Sequence, residues 1–153
     1  GSLQTNKVKY IIDKVELIHS LDRIKLAKEI EKRAARIDRQ IPALIQVNIS
    51  GESTKSGIRP EETMDFIEAM KQYPHIRIKG LMTIGPLTED RELIRDCFRQ
   101  MKKLFDEIKT KKFSHAQMQY LSMGMTNDFD IAIEEGANMV RIGRAIFGER
   151  KTP

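Results

Sequence analysis

Short apolar runs alternate along this chain with longer stretches whose apolar residues recur every three or four positions, and no other feature limits the fold as tightly. Five runs read as strands: Glu16–Leu21, Ala43–Ile49, Ile76–Ile84, Tyr120–Thr126 and Met139–Phe147. The amphipathic stretches around them read as helices. Asn6–Val15 opens the series with Val8, Ile11, Ile12 and Val15 on one face. Asp22 is placed to cap a second helix striped by Ile24, Leu26, Ala27, Ile30, Ala34 and Ala35, which Gln40-Ile41-Pro42 stops. Pro60 starts a third, Glu61–Gln72, with Met64, Ile67 and Met70 on one face. Asp90–Lys111 and Asn127–Gly136 complete the set. Alternation of this kind means parallel strands joined by right-handed crossovers. The spacing predicts a doubly wound sheet or part of a (β/α) barrel, with functional groups at the carboxyl ends of the strands.

At 153 residues the chain makes one domain, residues 1–153, with a sizeable core. Its net charge is +5, but Lys and Arg are interspersed with Asp and Glu along the helices, as on solvated faces. With no Trp and three scattered Tyr, stacking platforms for nucleic acid are lacking, so no nucleic-acid partner is expected. The single Cys97 excludes an internal disulfide and suits a reducing cytoplasm, and its place on an apolar helical stripe marks a buried, inert thiol. No apolar run approaches the ~18 residues of a membrane span. His19, His75 and His115 lie too far apart for ligand spacing, so no metal is expected. His19 reads as a satisfied core histidine, and His75 and His115 as surface residues in turns.

The chemistry concentrates near the end of the chain. One apolar run carries Ser122, Gly124 and Thr126; after an amphipathic helix, the next carries Arg141 and Gly143. Two strand ends joined by one helix thus present small residues, hydroxyls and a guanidinium on one side. Glycines admit phosphate oxygens close to backbone N–H groups, and small hydroxyls add donors. The alternative is two buried strands with an incidental arginine. Yet Arg141 interrupts an apolar run, and a guanidinium there needs a partner, either a carboxylate of the protein or a ligand atom such as a ring nitrogen or phosphate. Lys55, in the polar loop Ser50–Gly57, reads as a loop lysine with a capping or ligand-gating role. There is neither a G-x-S-x-G elbow nor a Walker motif.

These residues carry a family signature. Leu121-Ser-Met-Gly-Met-Thr-Asn-Asp128, Ala132-Ile133, Gly136 and Val140-Arg-Ile-Gly-Arg-Ala-Ile-Phe-Gly148 resemble the pyridoxal-phosphate homeostasis proteins, relatives of the amino-terminal barrel of alanine racemase. Asn48-Ile-Ser50 with Lys55-Ser-Gly57, and Gly80-Leu-Met-Thr83, resemble that family's fifth and sixth strand ends, and Gly1–Lys7 its segment after the third strand. The resemblance is collinear over essentially the whole chain. It implies an α/β fold, a (β/α)8 TIM barrel of the alanine racemase N-terminal type, of which this chain holds only strands 4–8 with their helices. It further implies pyridoxal 5′-phosphate as cofactor and a part in cytoplasmic vitamin B6 balance without catalytic turnover. Arg141 would meet the pyridine nitrogen, and Ser122, Met125, Thr126, Gly143 and Arg144 would hold the phosphate. Arg144 departs from the small hydroxyl residue usual in the family at that place.

The family's Schiff-base lysine belongs to the first strand, and no lysine here matches it; Lys7 and Lys55 match other motifs. Cofactor binding by these residues is therefore expected to be non-covalent at best, with no catalytic residue in this chain. Strands left open at Glu16–Leu21 and Met139–Phe147 imply self-association through the barrel edges. The rival reading, a racemase-like enzyme of the same superfamily, needs a second base, a tyrosine from a domain beyond the barrel. No tyrosine follows Tyr120.

Overall fold

The computed structural model describes residues 2–148; Gly1 and residues 149–153, the two ends of the expected 1–153 domain, lie outside the described residues. Four strands, β1 (Ile18–Leu21), β2 (Ile41–Gln46), β3 (Ile76–Met82) and β4 (Ala116–Ser122), form one sheet in the order β1-β2-β3-β4. Every neighbouring pair is parallel. Helices α1 (Ile24–Arg36), α2 (Thr63–Ala69) and α3 (Arg91–Thr110) make the crossovers, and α4 (Phe129–Glu134) and α5 (Arg144–Phe147) follow β4. Each crossover steps one strand onward in the same direction. A doubly wound sheet reverses its strand order at a switch point, and this one does not. Of the two architectures the spacing allowed, the sheet has the topology of a barrel wall.

One face of the sheet makes the core. Ile41, Ala43, Ile45, Ile78, Leu81 and Leu121 pack against Leu26, Ala27 and Ile30 of α1, Ile67 of α2, and Phe98, Met101 and Ile108 of α3. Burying each of the Ile, Leu, Phe and Met side chains among these is worth roughly 1.5–3 kcal/mol. Because strand residues alternate, the other face carries Leu44, Gln46 and Met82. These are buried near the carboxyl ends, whereas Arg77 and Gln117 on the same face are exposed near the amino ends. β3 and β4 approach so closely that a Cβ on Gly80 (φ +148°) would stand 1.8 Å from the Tyr120 carbonyl oxygen. Only glycine fits there. α3 is anchored at its start: the Asp90 carboxylate accepts the amides of Glu92 at 3.0 Å and Leu93 at 3.2 Å.

Several expectations are corrected. Residues 5–15 do not make an α-helix; Thr5–Tyr10 is a 3-10 turn that buries only Val8 within it. Glu61–Gln72 is divided into a 3-10 turn at Pro60–Glu62, α2, and a second 3-10 turn at Met70–Gln72. Arg23, not Asp22, occupies the N-cap of α1, because the Asp22 carboxylate is taken by the Arg23 guanidinium. Ile24 and Ala35 are exposed and stand off the buried stripe. Pro42 lies within β2; β1 begins opposite Ala43, so Pro42 has a strand neighbour on one side only. The expected strand Met139–Phe147 shrinks to one parallel bridge, Ser122 to Met139, and residues 144–147 turn into α5 with Ile146 and Phe147 exposed. No described strand pairs with its outer side, so only the bonds to β4 hold it extended. His75 and His115 are half-buried rather than free on the surface: one ring bonds Glu31 at 2.7 Å, the other the Ile67 carbonyl at 2.6 Å. His19 is not satisfied, since its buried Nδ1 has no described partner.

Candidate functional site

The carboxyl ends of β2, β3 and β4 are tied together by one residue. Thr83, fully buried, donates its amide to the Ser122 carbonyl at 3.0 Å and its hydroxyl to the Val47 carbonyl at 2.7 Å. Beyond β2, the Asn48 side-chain Nδ2 folds the polar loop by donating to the Glu52 carbonyl at 2.8 Å. Lys55 in that loop pairs with Glu52 at 2.7 Å and donates to the Gly85 carbonyl at 3.1 Å, so it spans from the β2 loop to the β3 loop. Its capping reading holds, with the backbone of the next loop as acceptor.

Beyond β4 the chain must turn sharply under α4. Gly124 has φ +95°, and a Cβ there would stand 2.6 Å from Ala132 Cβ, so the turn requires glycine. The returning stretch 138–141 then runs beside it: the Met123 amide donates to the Met139 carbonyl at 3.1 Å, and the Arg141 amide to the Gly124 carbonyl at 3.0 Å. This register aims Arg141 back across the strand ends. One guanidinium nitrogen donates to Ser122 Oγ at 2.8 Å and the other to the Thr83 carbonyl at 2.8 Å. Both acceptors are neutral, and Arg141 makes no ion pair with a described carboxylate. Burial pulls its pKa below the ordinary arginine value, and the nearby charge of Asp128 opposes that shift. The guanidinium remains charged at any ordinary pH. Burial, and secondarily the Arg141 charge, also lowers the pKa of His19 on β1.

All six residues singled out by the sequence meet here. Met125, Thr126, Arg141, Gly143 and Arg144 line one cleft of about 410 Å³, and the buried Ser122 hydroxyl stands against the Arg141 guanidinium. Their contributions differ. The Met125 amide is already engaged by Asp128 Oδ1 at 2.6 Å, which leaves Thr126 to offer donors from that turn. Gly143 is the N-cap of α5, and nothing stands within 4 Å of where its Cβ would be. The space over its backbone is therefore open. Arg144 is exposed and begins α5, where an amide has no intrahelical acceptor. A group with an acceptor for the guanidinium and an anion for these amides and hydroxyls matches the donors presented.

Two participants were hidden in the sequence. The Thr83 carbonyl holds Arg141, and a backbone acceptor leaves no side-chain signature. Asp128 stood within the quoted motif but carried no assigned role. Among the described residues no cluster of His, Cys, Asp and Glu could hold a metal ion, and no helix is long and apolar enough to cross a membrane.

The alanine racemase N-terminal domain family matches residues 1–151. A pyridoxal phosphate homeostasis protein of Aquifex aeolicus is 49% identical over 151 residues, covering 99% of this chain and 65% of that protein. The chain thus spans about 65% of the length of this curated relative. PipY of Synechococcus elongatus, solved with PLP bound, is similar with a TM-score of 0.84 at 28% identity, over 97% of this chain and 68% of PipY. An alanine racemase of Clostridium difficile shares the fold, with a TM-score of 0.73 at 18% identity, over 99% of this chain and 39% of that one.

Proposed function

The chain belongs to the alanine racemase N-terminal domain family, and from that premise we propose that its cleft binds pyridoxal 5′-phosphate and serves cytoplasmic cofactor homeostasis without catalytic turnover. The observation that carries this reading is Arg141, a largely covered guanidinium held by two neutral acceptors and paired with no described carboxylate. Such a charge suits an electron-rich acceptor in the ligand. The pyridine nitrogen would be that acceptor, and the Ser122 hydroxyl, the Thr126 donors and the amides of Gly143 and Arg144 would hold the phosphate. The relative named for pyridoxal phosphate homeostasis and the PLP-bound PipY support the choice of ligand.

When bound, this cofactor supplies an aldehyde and a pyridine ring able to withdraw electrons. Arg141 bonds the ring nitrogen without giving up a proton, because a guanidinium does not deprotonate at ordinary pH. Arg141 would thus hold the ring nitrogen without protonating it, which would keep the ring a weak electron acceptor and suit holding the cofactor over turning over an amino acid. In the same reading, β1–β4 and the Met139 bridge correspond to strands four to eight of an eight-stranded barrel.

Equilibrium dialysis with PLP, paired with a search for D-alanine after incubation with L-alanine, tests the proposal. It predicts saturable binding and no D-alanine. Absence of saturable binding, or racemisation above the rate of free PLP, contradicts it.

A further inference from the structure

One carboxylate lines the cleft that Arg141 enters. Asp128 is 8% exposed, and its position is fixed from two sides. Its Oδ1 accepts the Met125 amide at 2.6 Å, while its own amide donates to the Met125 carbonyl at 3.1 Å, closing the turn that leads into α4. Its Oδ2 lies against Gly85, where an added methyl would stand 2.9 Å away. It forms no ion pair with a described cation, so its charge is not neutralised at contact.

Holding the turn needs only a short side chain with an oxygen acceptor, and asparagine or serine supplies one without charge. The negative charge is therefore separable from the shape it maintains. A phosphate monoester carries nearly two negative charges at neutral pH. Placed in this cleft it meets a fixed like charge where water is partly excluded and screening by salt is reduced.

We infer that Asp128 is a positioning residue with two opposed effects: its oxygen shapes the turn presenting Thr126, and its charge limits how tightly the cleft retains a phosphate ester. A site balanced in this way binds its ligand and also lets it go. The inference rests on the reading that this cleft takes PLP.

The test is equilibrium dialysis of PLP, with phosphate-free pyridoxal as control, against the wild-type chain, D128N, D128S and D128A. Hydrogen exchange at the Met125 amide reports the turn. D128N is expected to bind PLP about tenfold more tightly, the scale of removing one like charge about 12 Å away at an effective dielectric of ~20. Its Met125 protection and pyridoxal affinity should stay unchanged. D128S should shift in the same direction, giving a second neutral variant if D128N does not fold. D128A should lose Met125 protection and bind PLP more weakly than D128N. Unchanged or weaker PLP binding in a neutral variant that keeps Met125 protection overturns the inference while leaving the cofactor reading intact. A wild-type chain that takes up no PLP overturns both.

Discussion

Arg95 on α3 and Arg141 beside β4 are the same side chain under opposite conditions. Arg95 is half-buried on the outer side of α3 and is met by carboxylates, Glu134 at 2.7 Å and Glu135 at 3.0 Å, part of a lattice that also joins Arg91 to Asp130. These partners raise its pKa above the ordinary arginine value. Arg141 is drawn inward, bonded to one hydroxyl and one carbonyl, and its pKa is lowered by burial. A guanidinium has five N–H donors, so two bonds leave Arg141 with donors to spare. The first arginine is balanced within the protein and fastens α3 to α4. The second is left for something else to balance, and a surface pair is the weaker kind of asset.

The comparison breaks most severely at Gly124, which serves both regions. Its carbonyl receives the Arg141 amide, and its missing side chain admits Ala132 of α4. Gly124→Ala adds backbone strain and a clash, so denaturant titration should show a stability loss of about 3 kcal/mol or more. Arg141→Gln comes next. It should weaken PLP about 10- to 100-fold, the range of a lost charge-assisted hydrogen bond, with little change in the melting temperature.

Arg95→Ala should do the reverse. Its melting temperature should fall by a few degrees at low salt and by less at about 1 M salt, where exposed charges are screened, and PLP binding should not change. The smallest effect belongs to His19, whose pKa lies below its ordinary value of 6.5 because of burial and the Arg141 charge. The unfolded chain binds the proton first as pH falls, so stability is full above 6.5 and declines from there toward the lower folded-state value. Thermal melts between neutral and mildly acidic pH should show that decline, and His19→Asn should flatten it.

How far these features were legible in the sequence follows from their physical origin. α3 was readable because a long apolar stripe acts locally; the Asp90 cap that starts it came to light only in the structure. The apolar run from Met139 to Phe147 was not, because composition cannot tell a strand from a short helix when the outer side has no partner. The six candidate residues converge because strand ends of a parallel sheet share one side. What held Arg141 was invisible beforehand: Thr83 offers its backbone carbonyl, and any residue there could have done so. The role of Asp128 depends on a turn that only Gly124 makes possible, a coupling no local pattern reports.

The most direct test is a paired PLP titration of Arg141→Gln and Arg95→Gln against the wild-type chain under one set of conditions. The account predicts that Arg141→Gln loses about 10- to 100-fold in affinity while Arg95→Gln binds as the wild type does. Equal affinity in all three proteins would contradict it.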